Sequence, residues 1–360
     1  MRPTTGRTPS HSRHAGVILV SALVGAMAGL AGFMTGRGAR LSPFPWLAVA
    51  GIAGVLAAIA VHELGHVVGG LTQRFTFRWM TVGPLRVSLE RGRLRFSVNR
   101  VGILWGGTAV LQPLDDRDLL RRMCWIAAGG PLASLALAAV AWVAAQGAGR
   151  EAWLMTCLAS FLIAVVTLVP SQMNGLRSDG GRLLDLLRDG PARQRECRLL
   201  AILVAMNDGQ RPASWNADTM RAILEEPAGY HLEIPSLLSA YLWCLDRDAI
   251  DEAEAVLERA LVATTTHAPV FRAAVLLEAA WWHAVMRDNL ALAERELAEA
   301  GSAMVLGEST RLRAHAAVLS RQGAHADARR AMDAALAALA TENMGGAAPL
   351  LQRMTRESVG

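Results

Sequence analysis

A mainly α fold is predicted: a polytopic helical membrane core of about four spans with a small β-hairpin element, followed by a soluble α-helical repeat-like domain. Three observations predict it. Uncharged apolar runs of bilayer length recur through the first half of the chain, a strict apolar/polar alternation interrupts them between residues 74 and 100, and charged amphipathic helices take over after Leu187. The 360 residues are 52% hydrophobic with a mean hydropathy of +0.28, which suits a membrane part joined to a further domain. The expected divisions are an N-terminal arm and first span over 1–43, a membrane core over 44–188 and a cytoplasmic helical domain over 189–360.

Residues 1–14 are polar and carry Arg2, Arg7 and Arg13. Ala15 to Met34 then runs without a charge, long enough to cross a bilayer as one helix. A cleaved signal peptide is the rival reading, for which this run is long. The second span extends from Phe44 to Leu71, with Pro43 and Pro45 at its start, and its later half holds His62-Glu63-Leu64-Gly65-His66. Imidazoles four residues apart share one helix face, where they can grip a single metal ion, and Glu63 beside them can take a proton from water. That is a zinc hydrolase signature. Ionisable groups cost roughly 2.5 to 3.5 kcal/mol each at a bilayer centre, so their presence in a span argues for function. The competing reading has both histidines merely hydrogen-bonding across a helix bundle.

Between Arg74 and Arg100 the period falls to two: Leu85, Val87 and Leu89 alternate with polar residues, as do Leu94, Phe96 and Val98, around a turn at Glu90-Arg91-Gly92-Arg93. This predicts a β-hairpin, with Phe75, Phe77 and Trp79 as a further strand. Val101 to Leu114 contains Gly102, Gly106 and Gly107 and is too short to span; a re-entrant or edge-strand element and an ordinary loop are both open. A third span covers Met123 to Ala145 and includes Gly129-Gly130-Pro131, a mark of close packing, a cavity wall or a tolerated kink. The fourth, Ala152 to Val169, ends at Pro170 and leads through Asn174 to Asp179-Gly180-Gly181.

All 36 basic residues are Arg. Their crowding beside apolar runs reads as topology signals and lipid headgroup contacts, and disfavours nucleic acid as the partner of the +5 net charge. Thirteen fall in the amino-terminal arm, in 74–100 and at Arg117, Arg121 and Arg122, against Arg37, Arg40 and Arg150 on the other side. The positive-inside rule therefore places both termini in the cytoplasm. Spans two and four then run in the same direction and deliver His62, His66 and Asp179, three zinc-ligand candidates, to one side of the membrane. Cys124, Cys157, Cys197 and Cys244 lie far apart with no Cys-x-x-Cys pair, so neither a disulfide framework nor a cysteine zinc site is indicated.

The set formed by His62-Glu63-x-x-His66 in a span, Gly130-Pro131 in a later one, and Pro170 followed by Asp179-Gly180-Gly181-Arg182-Leu183 resembles the site-2-protease family of intramembrane zinc metalloproteases. The resemblance covers roughly residues 44–190. It implies one zinc ion per chain held by His62, His66 and Asp179, with Glu63 activating water. It also implies strands within Phe75 to Pro113 that take a membrane-embedded or membrane-adjacent substrate in extended form. The chain departs from the family in having Ser134 and Thr167 where Asn is frequent, and in a longer interval between Pro170 and Asp179; Asn174 is an alternative ligand.

In the soluble half, after Asp189-Gly190-Pro191, a weak repeat aligns Ala253, Ala293 and Ala328 at spacings of 40 and 35. Apolar helices flank each copy, which resembles a tetratricopeptide-like stack, expected to dock a peptide or protein partner or simply to stabilise the rest. Trp281, Trp282 and His283 read as core aromatics with an accompanying histidine, and His231, His267, His315 and His325 show no ligand spacing. Two further classes compete with a protease. One is a catalytically silent membrane scaffold recruiting a partner through the repeat-like domain, against which Glu63 argues; the other is an ion transporter, which lacks the expected inverted repeat.

Overall fold

In a computed structural model the described residues are 44–90, 92–99, 105–173, 176–267, 269–301, 307–342 and 344–359. The apolar run Ala15 to Met34, expected as the first span, and the alternative ligand Asn174 lie outside them. Three helices are long and apolar enough to cross a membrane: α1 (Phe44–Thr72), α2 (Leu119–Ala144) and α3 (Arg150–Leu168). Each packs on the other two. Their outward residues, among them Trp46, Ile52, Val68, Val143 and Phe161, remain exposed and form the belt that lipid would cover.

Two of the spanning helices, α1 and α2, meet backbone to backbone. A Cβ on Gly129 would lie 2.3 Å from the Gly65 carbonyl oxygen, and one on Gly65 would lie 2.3 Å from that of Gly129. Only paired glycines let the two backbones meet there, the small-residue device by which membrane helices approach. α2 continues unbroken through Pro131, so Gly129-Gly130-Pro131 serves close packing. Gly129→Ala is expected to lower the thermal midpoint of the detergent-solubilised protein, at the overpacking cost of about 1–3 kcal/mol. An unchanged midpoint would mean that the crossing relaxes freely.

After α1 the chain enters an antiparallel sheet of β1 (Phe75–Val82), β2 (Leu85–Glu90), β3 (Arg93–Val98) and β4 (Thr108–Pro113), in the order β3-β2-β1-β4. The alternating residues pair as the hairpin reading requires, Leu85 with Val98, Val87 with Phe96 and Leu89 with Leu94, giving one apolar face. β1 is the expected third strand. The described part of Val101 to Leu114 contains an edge strand, β4, paired to β1 from Phe75↔Pro113 to Thr81↔Thr108.

Arg122 has a structural role that counting charges does not reveal. It is 7% exposed. Its guanidinium donates to the carbonyls of Gln73 at 2.6 Å, Arg74 at 2.9 Å and Arg117 at 2.7 Å, and to the Asp115 carboxylate at 2.6 Å. It thereby satisfies carbonyls left over where α1 ends and ties α1 to the start of α2.

β5 (Gln172–Met173) and β6 (Leu176–Arg177) follow α3 as a short hairpin and lead into α4 (Asp179–Leu187). The remaining helices are α5 (Pro191–Asn207), α6 (Ala217–Glu225), α7 (Glu233–Asp246), α8 (Ile250–Ala263), α9 (Pro269–Val285), α10 (Leu290–Ala300), α11 (Glu308–Arg321), α12 (His325–Leu339) and α13 (Ala348–Glu357). α7/α8, α9/α10 and α11/α12 form three helix hairpins. Their turns place Asp248, Asp288 and Gly323 at positive φ, each five residues before the aligned alanines, and Ala253, Ala293 and Ala328 are each fully buried. The repeat therefore has a geometric basis: one left-handed turn position and one small contact residue per hairpin. Trp281 and Trp282 are core residues, and His283 is paired with Glu296 at 2.7 Å. The four cysteines are free.

Candidate metal centre

α1 presents His62 and His66 one turn apart, both buried, toward α2 and α4. Room for the rings comes from α2, since a Cβ on Gly130 would lie 2.3 Å from His66 Nε2 and 2.9 Å from His62 Cε1. Asp179 is the first residue of α4, and local hydrogen bonds set its position. Ser178 Oγ accepts from the backbone N–H of Gly181 at 3.1 Å and of Ser171 at 2.9 Å, and donates to the Val169 carbonyl at 2.8 Å, capping α4 and holding it against the end of α3. Gly180 then fits where a Cβ would meet the Leu168 carbonyl oxygen at 1.8 Å.

The result is a compact donor set. His62 Nε2 lies 3.2 Å from Asp179 Oδ2, His66 Nε2 lies 3.4 Å from Asp179 Oδ1, and the two Nε2 atoms are 3.2 Å apart. One ligand-type atom from each residue lies within 4.8 Å of the others. The second ring nitrogens are engaged elsewhere: His66 Nδ1 donates to the Ile126 carbonyl at 2.7 Å, and His62 Nδ1 is 2.9 Å from Ser134 Oγ. Because a carbonyl only accepts, the Ile126 contact puts the proton of a neutral His66 on Nδ1 and leaves a bare lone pair on Nε2, facing a carboxylate oxygen. Acceptors turned on one another at this range repel unless a cation lies among them, so these residues fit a metal ion. Asp179 contributes the carboxylate of the set.

Glu63, also buried, points its carboxylate at the approach to β4. A Cβ on Gly107 would lie 2.3 Å from Glu63 Oε1, and Gly107 has φ +98°, so glycine is needed there twice over. Gly107 does not stand out as a site residue in the sequence, and Ser134 enters there only as the position where the resembled family frequently has Asn. The available signal for Ser134 is its place four residues after Gly130, on the face of α2 that meets the imidazoles. Ser134 is in turn held by Ser160 of α3, whose Oγ donates to its carbonyl at 2.9 Å.

Apolar spanning helices around two imidazoles, a carboxylate and an adjacent glutamate define a class, the membrane protein with a buried cluster of residues that could hold a metal ion. The family model described as peptidase family M50 matches residues 50–265, and the chain belongs to that family, the site-2-protease family of membrane metallopeptidases. No curated protein and no solved structure matches the chain.

Proposed function

We propose that this protein is an intramembrane zinc metalloprotease that hydrolyses peptide bonds of membrane-embedded or membrane-adjacent polypeptides. The observation that carries the reading is the convergence of His62, His66 and Asp179 from α1 and α4, with Glu63 one residue from a ligand candidate. These three residues would hold one zinc ion per chain. Two neutral imidazoles and a carboxylate are the donor set of a catalytic rather than a closed structural site. Zinc, when bound, supplies Lewis acidity toward the scissile carbonyl and toward water, whose pKa it can bring to about 7.

The protein's own residues account for the rest of the chemistry. Glu63 accepts the proton of the attacking water and passes it to the leaving amide nitrogen as the C–N bond breaks. Ile126 holds His66 in the tautomer that ligation requires, and Ser134 orients the His62 ring. β4 is an edge strand that starts beside Glu63, so a substrate segment added along its free side runs extended past the carboxylate, and strand addition offers a way to unwind a helical substrate before cleavage. Water reaches the site from the end of the bundle where α4 lies, which the arginine distribution assigns to the cytoplasm together with both termini. The helical hairpins after α5, tetratricopeptide-like in their repeat, dock a protein partner.

Ser134→Ala is expected to weaken zinc binding about 10- to 100-fold, the usual effect of removing the group that orients a ligating imidazole. Titration with a competing chelator measures it, and unchanged affinity would remove Ser134 from the site. The reading as a whole is tested by incubating the purified protein with single-span substrates in detergent, with and without chelator. Chelator-sensitive cleavage is expected; a zinc-loaded protein that cleaves none of them would favour the scaffold.

A further inference from the structure

A cavity lies away from the metal centre, where the β5–β6 hairpin and α4 meet α5 and the segment joining α6 to α7. It has a volume of about 240 Å³ and is lined by Gln172, Arg177, Asp185, Arg195, Tyr230 and His231. Its carboxylates are already spent. Asp185 accepts from Arg177 Nε and Nη2, both at 2.7 Å. Glu226 behind the wall accepts from Arg195 Nε at 2.9 Å and Nη2 at 2.7 Å, and from Arg198 Nη1 at 2.6 Å. Glu196 is buried, bonded to Arg182 and 3.6 Å from His231 Nε2. Burial works to raise its carboxyl, but Arg182 and His231 bring it down to about 2, so it too is fully ionised.

The donors are not spent. A guanidinium carries five N–H groups, and among the described residues Arg177 and Arg195 each use only Nε and Nη2, leaving both Nη1 groups without a hydrogen bond. The Tyr230 ring lies 4.6 Å from the Arg195 guanidinium carbon and fixes the plane of that side chain. Glu233, whose Oε2 accepts from the N–H of the lining residue Gly229 at 2.8 Å, makes the carboxylates four against the four arginines, so the wall offers unused donors rather than a surplus of charge. A partly enclosed wall with unused guanidinium donors suits an acceptor anion, to which charge-assisted hydrogen bonds are strong.

We propose that this cavity binds a small ligand through an oxyanion group, a carboxylate or phosphate shared between Arg177 of the membrane part and Arg195 of the helical part. The volume is below the 300–1,000 Å³ usual for drug-sized ligands, so the occupant is a small metabolite or a lipid headgroup rather than a polypeptide segment. The proposal goes beyond the protease reading and does not depend on it, because its readout is binding.

The test is calorimetric titration of the full chain, in a neutral detergent at low salt, with inorganic phosphate, succinate, glycerol 3-phosphate and dihexanoyl phosphatidylglycerol. One saturable site per chain is expected for at least one of these anions. Preference for the short-chain lipid over glycerol 3-phosphate assigns a headgroup, and the opposite order assigns a soluble ligand. Arg195→Gln is expected to weaken binding about tenfold or more, the effect of losing a charged hydrogen bond. Ala192→Leu, which fills the cavity while keeping every charge, is expected to do the same with an unchanged thermal midpoint. Absence of saturable binding by all four anions, or binding that neither substitution alters, overturns the proposal.

Discussion

Glu63→Gln is expected to keep its zinc and lose peptide-bond cleavage by about 10²- to 10⁴-fold, the contribution of a positioned general base and acid. The amide is nearly isosteric with the carboxylate, so the fit against Gly107 is preserved, and His62, His66 and Asp179 are untouched. What is removed is the capacity to take a proton from water and return it to the amide nitrogen. Zinc content by elemental analysis and cleavage of a single-span substrate, measured on the same preparation, separate the two roles. Zinc retained with cleavage undiminished would sink the assignment of Glu63, and zinc lost would recast Glu63 as part of the metal site.

Asp179→Ala is expected to lose zinc and cleavage together, with metal affinity falling by more than the roughly 100-fold that marks the loss of an outer-shell group. The substitution removes the one anionic candidate ligand and leaves the two imidazoles of α1, 3.2 Å apart at Nε2, without a third donor among the described residues. It leaves the α4 cap intact, because Ser178 and not Asp179 accepts from Gly181. A folded protein that has lost its metal is therefore the anticipated product. Asp179→Asn, which keeps the shape and removes the charge, is expected to fall between the two. If Asp179→Ala holds zinc as tightly as the parent, the third ligand lies elsewhere and the proposed centre fails.

Features governed by local periodicity were legible before any coordinates. Two imidazoles at a spacing of four must share a helix face, and Leu85, Val87, Leu89 and Leu94, Phe96, Val98 must share a sheet face, because the helix and strand repeats dictate both. The three described spans coincide with the apolar runs within a few residues at either end. The aligned alanines marked the helix hairpins because small residues recur wherever a repeated contact does, although nothing local announced Asp248 and Asp288 in the left-handed conformation at equivalent turns. Arg122 shows the opposite case. A count by position assigns it to topology, yet it spends its charge on the carbonyls at the end of α1, a use that depends on which helix end lies beside it.

By itself the sequence determined the long helices and the β-hairpin, which residue types bear metal-site chemistry, and that α1 and α3 run in the same direction so that their ends share a side, while it left β4 open between strand and loop and gave no sign of β5 and β6. Tertiary structure alone decided that Asp179 approaches the imidazoles to 3.2 and 3.4 Å, that Ser134 and Ile126 orient them, and that Gly107 opens β4 beside Glu63. The reason is physical. Local spacing constrains angle and face along one element, whereas the distance between elements depends on how closely their backbones pack, and here that closeness comes from Gly65 meeting Gly129 and Gly180 meeting the end of α3.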